Sequence, residues 1–138
     1  MTAAALIAAP GLHTLYIATP PGPHMALANA GFDAGLAVFC EKPLTASTTE
    51  AEAAVALLGD RLHLMHIWRY HPGVELLGSI ARSGRIGTVH GLRTVRDGWT
   101  SPRTDVDAAW TLLPHDLTLA IEVLGSIPAP RAALAEVL

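Results

Sequence analysis

The sequence predicts an α/β fold: a partial Rossmann-like parallel sheet of three strands, followed by the start of an α+β domain. Three observations carry that expectation. Short apolar runs recur at Leu12–Thr19, Leu36–Cys40 and Arg61–Ile67, helix-compatible stretches separate them, and beyond Tyr70 the pattern changes to longer, glycine-broken alternation. Apolar strands joined by helical crossovers form βαβ units, the building blocks of parallel sheets.

The elements come in order. The first run, LHTLYIAT, stops at Pro20-Pro21-Gly22-Pro23 and reads as a strand covered on both faces. His24–Ala34 is small and helix-compatible, and Leu36–Cys40 is the second strand. Ser47 with Glu50 three residues on predicts a capping box, and Gly59 stands where the following helix should end. Arg61–Ile67 is the third strand. Pro72–Arg82 predicts a helix with proline in its first turn and Gly84 beyond its end. Ile86–Arg96 alternates as a strand of a second sheet would, Gly98–Asp107 is a polar loop, and Trp110–Leu124 is a helix closed by Gly125. The resulting division is 1–70 for the parallel unit and 71–138 for the α+β part.

Composition bounds the function. A chain of 138 residues with 51% hydrophobic and 15% charged residues buries enough apolar surface to order itself. Its net charge of −3 gives no pull toward nucleic acid or anionic membrane. Cys40 is the single cysteine and has no internal partner, which fits a reducing, cytoplasmic compartment. The apolar opening up to Pro10 lacks the basic start of a secretory signal.

Polar residues collect where parallel sheets bind ligands, beyond the carboxyl ends of the strands. Thr19, Pro20 and His24 come after the first strand, Glu41-Lys42-Pro43 after the second, and Trp68-Arg69-Tyr70-His71 after the third. Alone, the first group reads rather as a stiff strand-to-helix turn, and the second reads also as a solvated pair at a strand end. His115 lies among Leu112, Leu113, Leu117 and Leu119, where a histidine is more often a satisfied core residue than a catalyst. His63 and His66 point to opposite faces of a strand, so no metal site is expected. No G-x-G occurs anywhere, which excludes a G-x-G-x-x-G fingerprint within this sequence.

Taken together and in order, LYIATPPGPH, VFCEKPLT, WRYHP, RIGTVHGLR and TLLPHDLTLAIEVLG resemble the Gfo/Idh/MocA family of NAD(P)-dependent oxidoreductases. The resemblance implies hydride transfer between NAD or NADP and a hydroxyl-bearing carbon of a sugar, cyclitol or related polyol. It implies Lys42 and His115 as catalytic residues, the histidine as general acid/base. Thr19, Pro20, His24, Glu41, Lys42, Pro43 and Arg69 are implied as cofactor contacts. Two departures stand out. Thr111 occupies the place of an aspartate four residues before His115, where one helix would set the two side by side. The strand, glycine-rich loop and ribose-reading residue that open the family's Rossmann domain are absent from this sequence.

The resemblance therefore implies a truncated member, with 1–70 the second half of a dinucleotide-binding domain and 71–138 the beginning of a substrate domain, inactive alone and without tight cofactor binding. Its partners would be a small sugar or polyol and either further copies of itself or a separate amino-terminal half. The alternative is a non-catalytic interaction module that pairs through exposed strand edges.

Overall fold

The computed structural model describes residues 1–96 and 105–134. Two compact units emerge. The first takes Met1–His66 and 105–114, the second Ile67–Arg96 and 115–134.

The first unit is built on three parallel strands, β1 (Thr14–Ile17), β2 (Ala37–Glu41) and β3 (Leu62–Met65), in the order β1-β2-β3. Leu15 stands beside Val38 and Ile17 beside Cys40, and on the other side Val38 meets Leu62 and Cys40 meets Leu64. The crossovers are α2 (His24–Asp33) and α3 (Thr48–Leu58); α1 (Ala3–Ile7) precedes β1, capped by the Thr2 hydroxyl on the Ala5 amide at 3.2 Å. The core consists of Ile7, Leu15, Ile17, Ala28, Leu36, Val38, Cys40, Leu44, Ala54 and Leu58. Gly31 permits α2 to lie close against the sheet, since a Cβ there would come within 2.8 Å of Leu15 Cδ2.

Among the described residues, one face of the sheet carries the buried core. Along β1 exposed and buried residues alternate, and Tyr16 is 52% exposed. The expectation of a strand buried on both faces is corrected: the run LYI is apolar throughout, but Leu15 and Ile17 are buried while Thr14 and Tyr16, on the other face, are exposed. Phe39 and His63 stack on each other, with ring centroids 4.5 Å apart.

The start of α3 is the capping arrangement read from the sequence, with one difference. Ser47 Oγ accepts from the Glu50 amide at 3.3 Å. The return contact runs through Thr45, whose hydroxyl donates to Glu50 Oε2 at 2.5 Å and accepts from the Ser47 amide at 3.2 Å. Gly59 ends the helix at φ +51, a conformation that strains any side chain.

The second unit begins with a 3-10 turn, Ile67–Tyr70, and continues into α4 (Pro72–Arg82). His71 caps α4, its Nδ1 accepting from the Gly73 amide at 3.1 Å. The strand expected over Ile86–Arg96 does not form: this stretch pairs with no strand among the described residues, and Gly87 at φ +76 interrupts its extension. The helix expected over Trp110–Leu124 is two, α5 (Ala108–Thr111) and α6 (Leu113–Leu124), broken where Pro114 brings no amide hydrogen to the ladder. The polar loop expected over Gly98–Asp107 lies mostly outside the described residues. Among the described residues, no helix is long and apolar enough to cross a membrane.

Candidate functional site

In the first unit, the carboxyl ends of β1 and β2 bring together six of the residues singled out in the sequence. Thr19 and Pro20 lie in the exposed loop after β1, Glu41 ends β2, and Lys42 and Pro43 come next, joined by a cis peptide. His24, the first residue of α2, joins the two loops. Its Nε2 lies 2.9 Å from the Thr19 carbonyl oxygen and its Nδ1 2.9 Å from that of Pro43. The side chain is fully buried.

Lys42 is half-buried, and its Nζ donates to the Thr111 carbonyl oxygen at 2.9 Å. That carbonyl lies at the end of α5, where the last carbonyls have no helical partner and favour a cation. The Thr111 hydroxyl donates back to the Asp107 carbonyl at 2.9 Å. The expected placing of Thr111 beside His115 on one helix is corrected, because α5 ends at Thr111 and α6 starts at Leu113. Thr111 contributes its backbone, a role that side-chain spacing could not reveal.

Glu41 is met by Tyr16, whose hydroxyl donates to Glu41 Oε1 at 2.6 Å. Tyr16 pairs with Phe39 across the strands, so Glu41, two residues further on, shares its face. The parallel register creates this contact, and the sequence does not state the register. The hydrogen bond to Glu41 raises the Tyr16 pKa above 10.0, helped by desolvation and the carboxylate's charge. A folded-state value above the unfolded one means the contact stabilises the fold below pH 10.0 and loses that contribution as pH rises through the folded value. In a Tyr70→Phe background, leaving Tyr16 as the only phenol, Glu41→Gln is expected to shift phenolate absorbance to lower pH; an unmoved titration would contradict the contact. Cys40, next to Glu41 in sequence, is pushed up to about 12 by burial and by that carboxylate, so it stays a thiol at neutral pH.

A hollow of about 420 Å³ opens between the two loops, lined by Pro21, Gly22 and Met25 on one side, Thr45 and Glu50 on the other, and Asp105.

The second unit holds the other two residues expected from the resemblance. Arg69 lies in the 3-10 turn, its side chain 59% exposed and 3.8 Å from Glu122 Oε1. His115 is buried in the first turns of α6, with the Trp68 ring edge-on at 6.4 Å. Arg96 pairs with Asp116, the residue after His115, at 3.3 Å, and its guanidinium lies 5.5 Å from the Trp68 ring centre. Trp68 thus stands beside both His115 and Arg96, a grouping invisible as a pattern in the sequence.

Comparison with known proteins agrees with this architecture. Residues 2–67 match the family described as "Oxidoreductase family, NAD-binding Rossmann fold". The chain is 34% identical over 122 residues to a UDP-N-acetylglucosamine 3-dehydrogenase from Acidithiobacillus ferrooxidans, a match covering 86% of this chain and 38% of that protein. It is 32% identical over 146 residues to an inositol 2-dehydrogenase from Streptomyces avermitilis, covering 94% of this chain and 42% of the relative. A probable dehydrogenase from Thermotoga maritima superposes with a TM-score of 0.80 at 24% identity, over 90% of this chain and 40% of that one, and shares its fold. The chain thus spans about two fifths of the length of these two relatives. Residues 2–67 belong to the NAD-binding Rossmann fold of the Gfo/Idh/MocA oxidoreductase family.

Proposed function

We propose that the carboxyl edge of the first unit faces the nicotinamide end of NAD or NADP, and that the chain contributes to hydride transfer at a hydroxyl-bearing carbon of a sugar, cyclitol or related polyol. The observation that carries this reading is the joining of the Thr19–His24 and Glu41–Pro43 loops at the end of a parallel sheet, with Lys42 fixed beside them. Parallel sheets bind ligands at that end. The residues fit a nicotinamide riboside in character: an open hollow between two held loops, an exposed Thr19 hydroxyl and a half-buried ammonium. They do not fit a pyrophosphate, for the sequence has no G-x-G to bring backbone amides close to it.

When bound, the nicotinamide supplies the hydride acceptor for oxidation of the substrate carbon. Lys42 then stabilises the charge that develops on the substrate oxygen as its proton leaves, and His115 is the group that takes that proton. Arg69, by the same family resemblance, contacts the cofactor from the turn after β3. The relatives' names include an inositol 2-dehydrogenase and a UDP-N-acetylglucosamine 3-dehydrogenase, which supports a polyhydroxylated substrate. Residues 1–70 are assigned to the dinucleotide-binding part and 71–138 to the start of the substrate part.

Titration of the chain with NADH, monitored by nicotinamide fluorescence, tests the reading. Saturable binding in the millimolar range, weakened by Lys42→Glu, is expected. Affinity at micromolar level would contradict the missing pyrophosphate contribution, and an unaltered titration in Lys42→Glu would contradict the site.

A further inference from the structure

We propose that His24 is a positioning residue, a buried bridge that sets the spacing of the two loops around the hollow without itself touching the dinucleotide. This role rests on the assignment of that edge to the cofactor and differs from the cofactor contact that the sequence resemblance implied for this histidine.

His24 is 0% exposed, so no ligand reaches its ring in this fold. Both ring nitrogens are occupied by backbone carbonyls from different loops, Thr19 five residues before it and Pro43 nineteen after it, each at 2.9 Å. Carbonyl oxygens only accept hydrogen bonds, so the ring serves them as donor: a neutral imidazole to one at a time, an imidazolium to both. The two carbonyls anchor opposite sides of the hollow. Pro21 and Gly22 lie just beyond Thr19, and Thr45 and Ala46 just beyond Pro43. Pro23, the N-cap of α2, adds no side-chain hydrogen bond of its own, so the ring of the first helical residue ties this helix start to the second loop. A site that depends on two loops is only as well defined as the contact between them.

Removing the bridge leaves the buried Pro43 carbonyl and the part-buried Thr19 carbonyl without their donor, which predicts a loosened loop pair on an otherwise intact sheet. The test uses the full chain, labelled with ¹⁵N and titrated with NADH, in wild type, His24→Leu and His24→Gln. In wild type a His24 ring N–H, assigned by its disappearance in His24→Gln, is expected to exchange slowly with water, in contrast to the exposed His63. His24→Leu is expected to weaken NADH binding about tenfold or more. His24→Gln, whose carboxamide still donates, should restore most of the affinity.

Affinity unchanged in His24→Leu would overturn the positioning role, as would a His24 ring proton exchanging as fast as that of His63. Equal loss in both variants would overturn it too, by showing a demand for the ring rather than for a donor. Should His24→Leu fail to fold, the exchange measurement and the His24→Gln titration still decide. Absence of any NADH response in wild type would instead strike the cofactor assignment itself, while slow ring exchange would survive as a purely structural bridge.

Discussion

In an intact enzyme that carries these residues, Lys42→Met is expected to lower turnover about 10²- to 10³-fold, the usual cost of removing one donor aimed at a developing oxyanion. Methionine preserves the length and apolar stem of the side chain but has neither charge nor donor, so the loss reports the ammonium. In the fold, that ammonium is held 2.9 Å from the Thr111 carbonyl oxygen, at the end of a short helix. Holding the group before reaction is what makes it effective, because no reorganisation is then needed as charge develops. Initial rates of NAD(P)H formation across a panel of sugars and cyclitols, relative to the unmodified intact enzyme assayed alongside, provide the measurement. His63→Ala is the matched control: an exposed residue on the sheet, expected to leave the rate unchanged. Full activity in Lys42→Met would remove the chemical role given to the Glu41-Lys42-Pro43 motif.

Gly78→Ala is expected to destabilise the second unit by about 1 to 3 kcal/mol, the range for forcing an extra methyl into a packed contact. Two effects oppose each other here. Gly78 lies inside α4, where alanine ordinarily gains about 1 kcal/mol over glycine. Against this, a Cβ at Gly78 would lie 2.7 Å from the Glu122 carbonyl oxygen of α6 and 2.9 Å from Arg82 Nη1. The backbone oxygen cannot step aside without moving α6, and Arg82 is itself committed to that oxygen at 2.6 Å. The clash therefore outweighs helix propensity. Thermal or urea unfolding of the variant decides between them: a lower midpoint is expected, and a raised one would mean that α4 and α6 are not in the close contact described.

Much of the fold is legible in the sequence where local chemistry and tertiary packing agree. β1 and β3 lie within their predicted runs and β2 runs one residue past its own, to Glu41; α4 spans Pro72–Arg82 as proline and Gly84 mark it, and Ser47 caps α3. Local reasoning fails where a partner decides. Ile86–Arg96 has the alternation of a strand, but alternation does not supply a neighbour for its amides and carbonyls. Pro114 divides a run that the sequence reads as one helix. The candidate site divides the same way. Residue type and strand order place Thr19, Glu41 and Lys42 at one edge, since consecutive parallel strands must end on the same side. The contacts that hold them, Tyr16 on Glu41, the Thr111 carbonyl on Lys42 and His24 between two loops, depend on register and on residues up to 69 positions apart.

The central claim is that the edge formed by the loops after β1 and β2 takes the nicotinamide end of a dinucleotide. Amide chemical-shift mapping with the two halves of NAD tested separately addresses it directly. Nicotinamide mononucleotide is expected to perturb residues 19–24 and 41–46 and to leave α1 and the carboxyl end of α3 unmoved, whereas adenosine monophosphate should produce little change at the same concentration. Equal response to both halves, or shifts centred away from these loops, would contradict the claim.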